Sequence, residues 1–334
     1  MKILFAGDDW YGSNARSLAD GFRMAGHDVV VVDTTAVTLP RRGTPSWCYA
    51  KATGRRDPRT VHATHDQLAA AASAFRPDLF VAYKSIYLDQ ERLLSLPVPL
   101  KAHYSADDTA NPDNTTPEYL ASESRWDAIV TTKAHNVEEL RDRGARDVIF
   151  VLSAYDPAWH RPMARRGARS YIAGFVGALR PDRADLLRGL AGRYRERFYL
   201  AGPGWRRDLA SRMSGAQIDG AQYGERLSSA IGSILANLVL LNSANRDTHT
   251  CRTFEVPAAG GLFVGQRTDE HLALFADGDE AFLFESEGEL AEILERVAAH
   301  PDHARAVAER GHRAVVRGRH SYRDRAETIV ARLR

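Results

Sequence analysis

Lys2-Ile3-Leu4-Phe5-Ala6-Gly7-Asp8-Asp9-Trp10-Tyr11-Gly12-Ser13 opens the chain, and its reading decides the fold class. The unbroken apolar run Ile3 to Ala6 fits a strand buried on both faces, as in a parallel sheet. A glycine-bearing turn follows and leads into a helix read over Asn14 to Met24. Gly26-His27-Asp28 then turns into Val29-Val30-Val31-Val32, a second apolar run. Strand, helix and strand in that order begin a doubly wound α/β sheet.

Further strands are read at Leu79 to Ala82, Pro99 to His103, Ala128 to Thr132 and Val148 to Val151, the last after a helix over Ala134 to Arg143. Thr34 to Arg59 shows no period and reads as a long loop, the kind that is often functional. Asp156 to Gly167, with Pro157, Arg161 and Pro162, reads as a linker, and a hinge is expected near residues 152–170. The alternation restarts at Tyr171 to Gly177. A helix over Arg183 to Tyr194, strands at Phe198 to Ala201 and Leu238 to Leu241, a helix over Arg252 to Ala259 and a strand at Leu262 to Val264 follow. Amphipathic helices over Glu289 to Ala299 and Asp302 to Arg317 come after these. The expectation is two Rossmann-like α/β domains, 1–155 and 170–318, with a C-terminal helix over 319–334.

Length and composition agree with that division. A chain of 334 residues suits two domains, each with its own core. At 44% hydrophobic and 26% charged it is not a disordered chain. A formal charge of +2 carries no nucleic-acid footprint, and no strong protein-partner signal stands out. Lysine stands only at Lys2, Lys51, Lys84, Lys101 and Lys133, so forty of the 45 basic residues are arginine. Arginine suits phosphate recognition, although genome composition is the more economical account of the bias. Cys48 and Cys251 match neither a metal spacing nor a disulfide framework. With no signal-peptide pattern and no apolar run near ~20 residues, a cytoplasmic location without a membrane span is expected.

Three motifs carry the chemistry. The Gly7 to Ser13 turn, with Gly12 before the helix, offers backbone N–H groups and a helix dipole to an anion. Asp9 occupies the second-glycine place of the dinucleotide fingerprint, which counts against a nicotinamide enzyme. Ala102 to Asp108 follows a strand, so His103 and Asp108 are read at the sheet-end crevice, where paired acids suit a general base. An Asx turn at the paired acids is an equal reading. Asp277-Gly278-Asp279 has the D-x-D shape of metal-dependent transferases but sits in a polar turn. The sharpest constellation runs from Asn242 to Gly261, where Asp247 and Glu255 stand eight apart. Glu255 on the helix suits the two hydroxyls of a ribose, and Asp247 suits the sugar. His249, Thr250 and Arg252 lie near the helix N-terminus, where a diphosphate binds well.

Arg252-Thr253-Phe254-Glu255-Val256-Pro257-Ala258-Ala259-Gly260-Gly261, with Glu270 to Phe275, Gly278, Glu280 and the Arg310 to Arg313 segment, resembles the CgeB-like glycosyltransferases. These carry the "glycosyl transferases group 1" C-terminal domain. Thr131-Thr132-Lys133 with Asn136 to Leu140, Ala154 to Pro157 with His160 to Pro162, and Phe175-Val176-Gly177 with Arg183 fit the same family. The resemblance implies a GT-B fold, two Rossmann-like domains facing each other across a cleft with the C-terminal helix crossing back. It also implies a retaining reaction without a metal. Related transferases carry an E-x7-E pair; Glu255 falls at its second place and Asp247, shorter in reach, at its first. Arg180, Arg183 and Arg252 are the candidates to neutralise the leaving diphosphate, with Arg183 the best family match, and Asp247, His249 and, on the acceptor side or near the sugar, Asp108 and His103 are the catalytic candidates.

The function expected is therefore transfer of a sugar from a nucleotide-sugar to a glycan, glycolipid, small molecule or modified nucleobase. The donor, a UDP-sugar or other nucleoside-diphosphate sugar, is substrate, so no cofactor is called for. The rival readings are a nucleotide-sugar epimerase on the same fold and a non-catalytic nucleotide-sugar-binding protein.

Overall fold

The structure is a computed structural model that describes residues 1–163 and 171–334. The chain divides into two compact units, Met1–Leu152 with Tyr322–Arg334, and Ser153–Ser321. The far end of the expected linker, Ala164 to Gly167, and the expected start of the second domain at residue 170 lie outside the described residues.

Unit 1 contains six strands: β1 (Lys2–Gly7), β2 (Asp28–Asp33), β3 (Leu79–Tyr83), β4 (Leu100–Ser105), β5 (Ala128–Thr131) and β6 (Val148–Phe150). They form one parallel sheet in the order β2-β1-β3-β4-β5-β6. Its helices are α1 (Asn14–Met24), α2 (Thr35–Thr38), α3 (Pro45–Thr53), α4 (Pro58–Phe75), α5 (Gln90–Leu94), α6 (Pro117–Ser122) and α7 (His135–Asp142). β1 and β3 are buried along nearly their whole length, which is why both read as unbroken apolar runs.

The expected long loop is largely helical. α3 starts at Pro45 behind the Thr44 side-chain cap, and α4 starts at Pro58 behind Asp57, whose carboxylate accepts the Arg59 N–H. Proline at the first helical position behind a polar cap is a strong start signal. The period was invisible because α3 buries no residue and α4 buries Thr64 and His65 along with Leu68 and Ala72.

Unit 2 contains β7 (Tyr171–Val176), β8 (Phe198–Ala201), β9 (Gln217–Asp219), β10 (Ile234–Val239), β11 (Leu262–Gln266) and β12 (Phe282–Phe284). They form a second parallel sheet in the order β12-β11-β10-β7-β8-β9. Its helices are α8 (Pro181–Tyr194), α9 (Leu209–Met213), α10 (Gly224–Ser233), α11 (Cys251–Ala258), α12 (Asp269–Leu274), α13 (Glu287–Ala299) and α14 (Pro301–Arg317). β9 and β12 are edge strands of three residues, too short for a sequence period. β10 begins four residues before the strand expected at Leu238, because Ala236 and Asn237 take their places between β7 and β11.

The segment after Ser153 is integral to unit 2. Tyr155 pairs with Ser321, and the Ser228 hydroxyl donates to the Trp159 carbonyl at 2.8 Å. The last helix, α15 (Tyr322–Leu333), returns to unit 1 and packs on α1. Gly21 makes that packing possible, since a Cβ there would lie 2.5 Å from the Tyr322 carbonyl oxygen.

Candidate functional site

In open α/β sheets ligands bind beyond the carboxyl ends of the strands, where the strand order reverses. In unit 2 that point lies between β7 and β10. A cavity of about 250 Å³ sits there, lined by residues that leave β7 and β10 and by the start of α11. Arg180, Arg183, Asp247, Thr250 and Arg252 all border it. Five of the candidate residues, scattered over some seventy positions, thus converge on one cavity.

Their environments separate them. Arg183 stands in the first turn of α8 and donates to the Leu240 and Leu241 carbonyls at 3.3 and 3.2 Å, with its guanidinium 5.5 Å from the Phe175 ring centre. Asp182 completes this strap by accepting from the Ser243 N–H and hydroxyl. The pair pins the chain where it leaves β10, so Arg183 is a wall-builder with few donors left for a ligand. Arg180 is exposed, bonds only the Asn242 amide oxygen at 3.4 Å, and has no carboxylate partner among the described residues. It replaces Arg183 as the strongest phosphate candidate.

Thr250 is the N-cap of α11, accepting from the Arg252 N–H while Thr253 caps back onto Thr250. This reciprocal box fixes the angle at which Arg252 leaves the helix. Arg252 donates to the Val176 carbonyl at 3.1 Å and pairs with Glu255. Asp247 is half-buried, and its carboxylate accepts the Asn242 N–H at 3.3 Å.

Glu255 is not the solvent-facing carboxylate that the sequence suggested. It is 3% exposed, does not border the cavity, and directs its carboxylate at Arg252. His160 lies behind it, Nε2 being 3.7 Å from the carboxylate. His160 Nδ1 accepts the Asp156 N–H, and burial pushes its pKa down, so Arg252 and not His160 is the counter-charge of Glu255. His160 carried no role in the sequence reading; only its place in a family-like segment marked it.

The expected catalytic role of His249 does not survive its surroundings. The ring is fully buried, with Nδ1 2.5 Å from Glu270 and Nε2 accepting the Ser153 N–H at 2.9 Å. Both nitrogens are committed to holding the start of unit 2 against α12. The partner Ser153 lies 96 residues away in the chain, and no local pattern reveals it.

In unit 1 the order reverses between β1 and β3, and a cavity of about 380 Å³ sits there. Lys84 follows β3 in a left-handed conformation, φ 49°, and ion-pairs with Asp107 at the end of β4. Asp8 accepts from the Thr34 and Thr38 hydroxyls at 2.8 and 2.6 Å. Of the adjacent acids, Asp107 borders the cavity and Asp108 does not. Asp108 is 2% exposed and accepts the Ala110 N–H at 2.9 Å, which makes it the Asx turn. His103 forms a deep part of the wall. Its ring lies 4.4 Å from Tyr119 and 5.5 Å from Trp126, and burial pushes its pKa down to about 3. A ring held neutral in this way is unsuited to taking up a proton, so the reacting role expected of His103 is withdrawn. Gly12, φ 92°, shapes the turn into α1, and the Ser13 side chain caps that helix by accepting the Ala15 N–H.

The D-x-D segment is a turn. Asp277 accepts the Leu283 N–H and pairs with Arg267, Gly278 has φ 82°, and Asp279 pairs with Arg310. Among the described residues no group of three or more His, Cys, Asp or Glu side chains is placed to hold a metal ion. No described helix is long and apolar enough to cross a membrane.

Two α/β units, each with a cavity at its switch point, define the GT-B class of architecture. Residues 180–331 match the family model for glycosyl transferase-like proteins. No curated protein matches the chain in sequence. Sucrose-phosphate synthase from Thermosynechococcus elongatus shares the fold at TM-score 0.68 and 13% identity, over 100% of this chain and 98% of its own. Anabaena HepE, solved with UDP-glucose, has TM-score 0.68 and 11% identity over 99% and 100%. A glycosyltransferase from Rickettsia africae has TM-score 0.63 and 9% identity over 99% and 97%. The fold is that of the GT-B glycosyltransferases, and the matched part of unit 2 is glycosyl transferase-like.

Proposed function

We propose that the chain is a retaining, metal-independent glycosyltransferase whose unit 2 holds a nucleoside-diphosphate sugar and whose unit 1 holds the acceptor. The observation that carries this reading is the convergence of Arg180, Arg252 and Asp247 on the switch-point cavity of unit 2. The likeness to HepE, solved with UDP-glucose, supports a donor of that class.

In this reading Arg180 and Arg252 meet the diphosphate. When Arg252 turns to the phosphates it releases Glu255, whose carboxylate then accepts the ribose hydroxyls. Asp247 contacts the donor sugar. As the bond from the anomeric carbon to the phosphate oxygen breaks, negative charge grows on the diphosphate, and preorganised guanidinium groups stabilise it most at that moment. The acceptor hydroxyl attacks from the same face, the new glycosidic bond forms, and its proton passes to the departing phosphate oxygen.

Calorimetric titration with UDP and with uridine tests the donor site. UDP should bind more tightly than uridine, and Arg180→Gln should narrow that difference about tenfold. Equal affinities in the wild-type protein would remove the diphosphate from the reading.

A further inference from the structure

Unit 1 holds a second cavity, about 950 Å³, in the groove that α4 shares with α5 and α6. It and the 380 Å³ cavity have Arg56, Ile86 and Tyr87 in common. Arg56 therefore stands where the two spaces adjoin. Its guanidinium lies 4.0 Å from the centre of the Tyr87 ring. That cation–π contact holds the guanidinium over the ring face.

The charges around it decide what it is for. In the smaller cavity Asp107 is neutralised by Lys84 and Asp8 is occupied by two threonine hydroxyls. In the larger one Arg92 pairs with Asp66, and Glu91 with Arg125. Asp89 caps α5 by accepting the Glu91 and Arg92 N–H groups, and Asp113 and Glu118 remain, both exposed. Arg56 is half-buried, and neither it nor the adjacent Arg55 has a carboxylate partner among the described residues. A half-buried, oriented guanidinium with no anion is a costly arrangement unless a ligand supplies one.

The wall beneath adds a second sign of a ligand. His103 is 1% exposed, and neither ring nitrogen has a hydrogen-bond partner among the described residues. A neutral imidazole offers one donor and one acceptor, the pair a hydroxyl satisfies. The smaller cavity falls within the roughly 300–1,000 Å³ of small-molecule sites.

We infer that the ligand of unit 1 is a polyhydroxylated molecule bearing an oxyanion, phosphate ester or carboxylate, and that Arg56 receives that oxyanion. This rests on unit 1 being the acceptor side, which makes the acceptor anionic. The hydroxylated body occupies the smaller cavity, and the larger groove accommodates what extends beyond the anion.

Titration of the full chain with glucose 6-phosphate, glucuronate, glucose and inorganic phosphate tests it at low ionic strength. At least one of the two anionic sugars should bind about tenfold more tightly than glucose, as a charge-assisted bidentate contact requires. Which of them binds separates phosphate from carboxylate. Arg56→Gln should abolish the preference, and Arg56→Lys should keep only part of it because the stack on Tyr87 is lost. Arg180→Gln should leave it intact, which places the anion in unit 1. Loss in Arg180→Gln instead, an anion preference indifferent to Arg56, or no binding by any of the four probes overturns the inference. UDP titration of Arg56→Gln should match wild type; a wild-type chain that ignores UDP sinks the donor reading alone and leaves the Arg56 result standing.

Discussion

The two units use the same alternation of strand and helix but wind it differently. Unit 1 runs β2-β1-β3-β4-β5-β6, so the chain reverses direction across the sheet after its second strand. Unit 2 runs β9-β8-β7-β10-β11-β12 and reverses only after its third. Each order leaves a crevice beside the unit's first strand, and each crevice is a cavity. Topology therefore sets where a ligand sits, while the loops set what it is. Unit 2 puts Arg180 and Arg252 at its crevice, and the N-terminus of α11 brings Arg252 there. Unit 1 lines its crevice with a compensated lysine–aspartate pair, aromatic rings and one arginine stacked on tyrosine.

The largest expected effect falls on unit 2. On the proposed reading Arg252→Ala removes a phosphate contact, and it leaves Glu255, 3% exposed, without its counter-charge. UDP affinity should fall by about a hundredfold, with a lower Tm as well. Glu255→Gln should cost about tenfold in UDP affinity, since it alters only one arm of the pair. On the proposed reading Arg252 meets the phosphates and Glu255 the ribose, so the double variant should bind UDP more weakly than Arg252→Ala alone. A double variant no weaker than Arg252→Ala would show that the two groups act on the nucleotide as one unit.

That pair also marks the limit of what the sequence disclosed. The strands were legible because a parallel sheet covered on both faces demands continuous apolar runs, and Ile3 to Ala6 or Phe198 to Ala201 have no other use. Thr44-Pro45 and Asp57-Pro58 are cap-and-proline starts that the reading of 34–59 as a loop passed over, because the helices behind them bury too little apolar surface to show a period. At the site, the helix from Cys251 and its cluster of charges could be read from spacing. Which charges are spoken for could not. Arg183 looked like a phosphate ligand until the Leu240 and Leu241 carbonyls appeared beside it, and His249 looked reactive until Ser153 and Glu270 did. Those partners come from strand ends that only the fold brings together.

Arg180 and Arg183 give the next effect and sharpen the division inside unit 2. Arg183→Ala removes two bonds to backbone carbonyls from a side chain only 10% exposed, a loss of about 1–3 kcal/mol in stability. It should weaken UDP and uridine alike, because the cavity wall itself shifts. Arg180→Gln should lower UDP affinity about tenfold while sparing uridine and Tm. If Arg183→Ala spares Tm and selectively weakens UDP, the original family-based assignment of the diphosphate to Arg183 is right and the strap is incidental.

Burial depresses the pKa of histidines in both units, His65 and His160 among them, and carries His103 to about 3 and His271 to about 4. The folded protein holds the last two neutral, whereas the unfolded chain protonates them near 6.5. Between those values the unfolded state binds more protons, so stability is full above pH 6.5 and falls as the pH drops below it. Each ring should contribute a slope approaching about 1.4 kcal/mol per pH unit. His271 has partners in Thr253 and the Gln266 carbonyl, and its loss should level off near pH 4. His103, with none among the described residues, should continue toward pH 3. Denaturant unfolding from pH 7 to 4 measures the combined slope, to which His65 and His160 add in the same direction, and His103→Phe should flatten it by one ring's share. An unchanged slope in that variant would mean that His103 is not buried in solution.

The smallest expected effect is none at all, and it bears on both crevices at once. A departing diphosphate needs positive charge from somewhere, either a bound cation or side chains already in place. In unit 2 the only D-x-D segment spends its carboxylates on Arg267, Arg310 and a backbone N–H. In unit 1 the acids at the crevice are held by Lys84 or by threonine hydroxyls, apart from the exposed Asp113. On the proposed reading Arg180 and Arg252 supply the charge instead. Donor hydrolysis should therefore run at the same rate after exhaustive treatment with a chelator as before it. The same holds for UDP affinity, which a bridging cation would otherwise strengthen. A rate that collapses with chelator and returns with manganese or magnesium would move the leaving-group charge from the arginines to a metal, and Asp247, the carboxylate bordering the unit 2 cavity, would be the first ligand to test by substitution with asparagine.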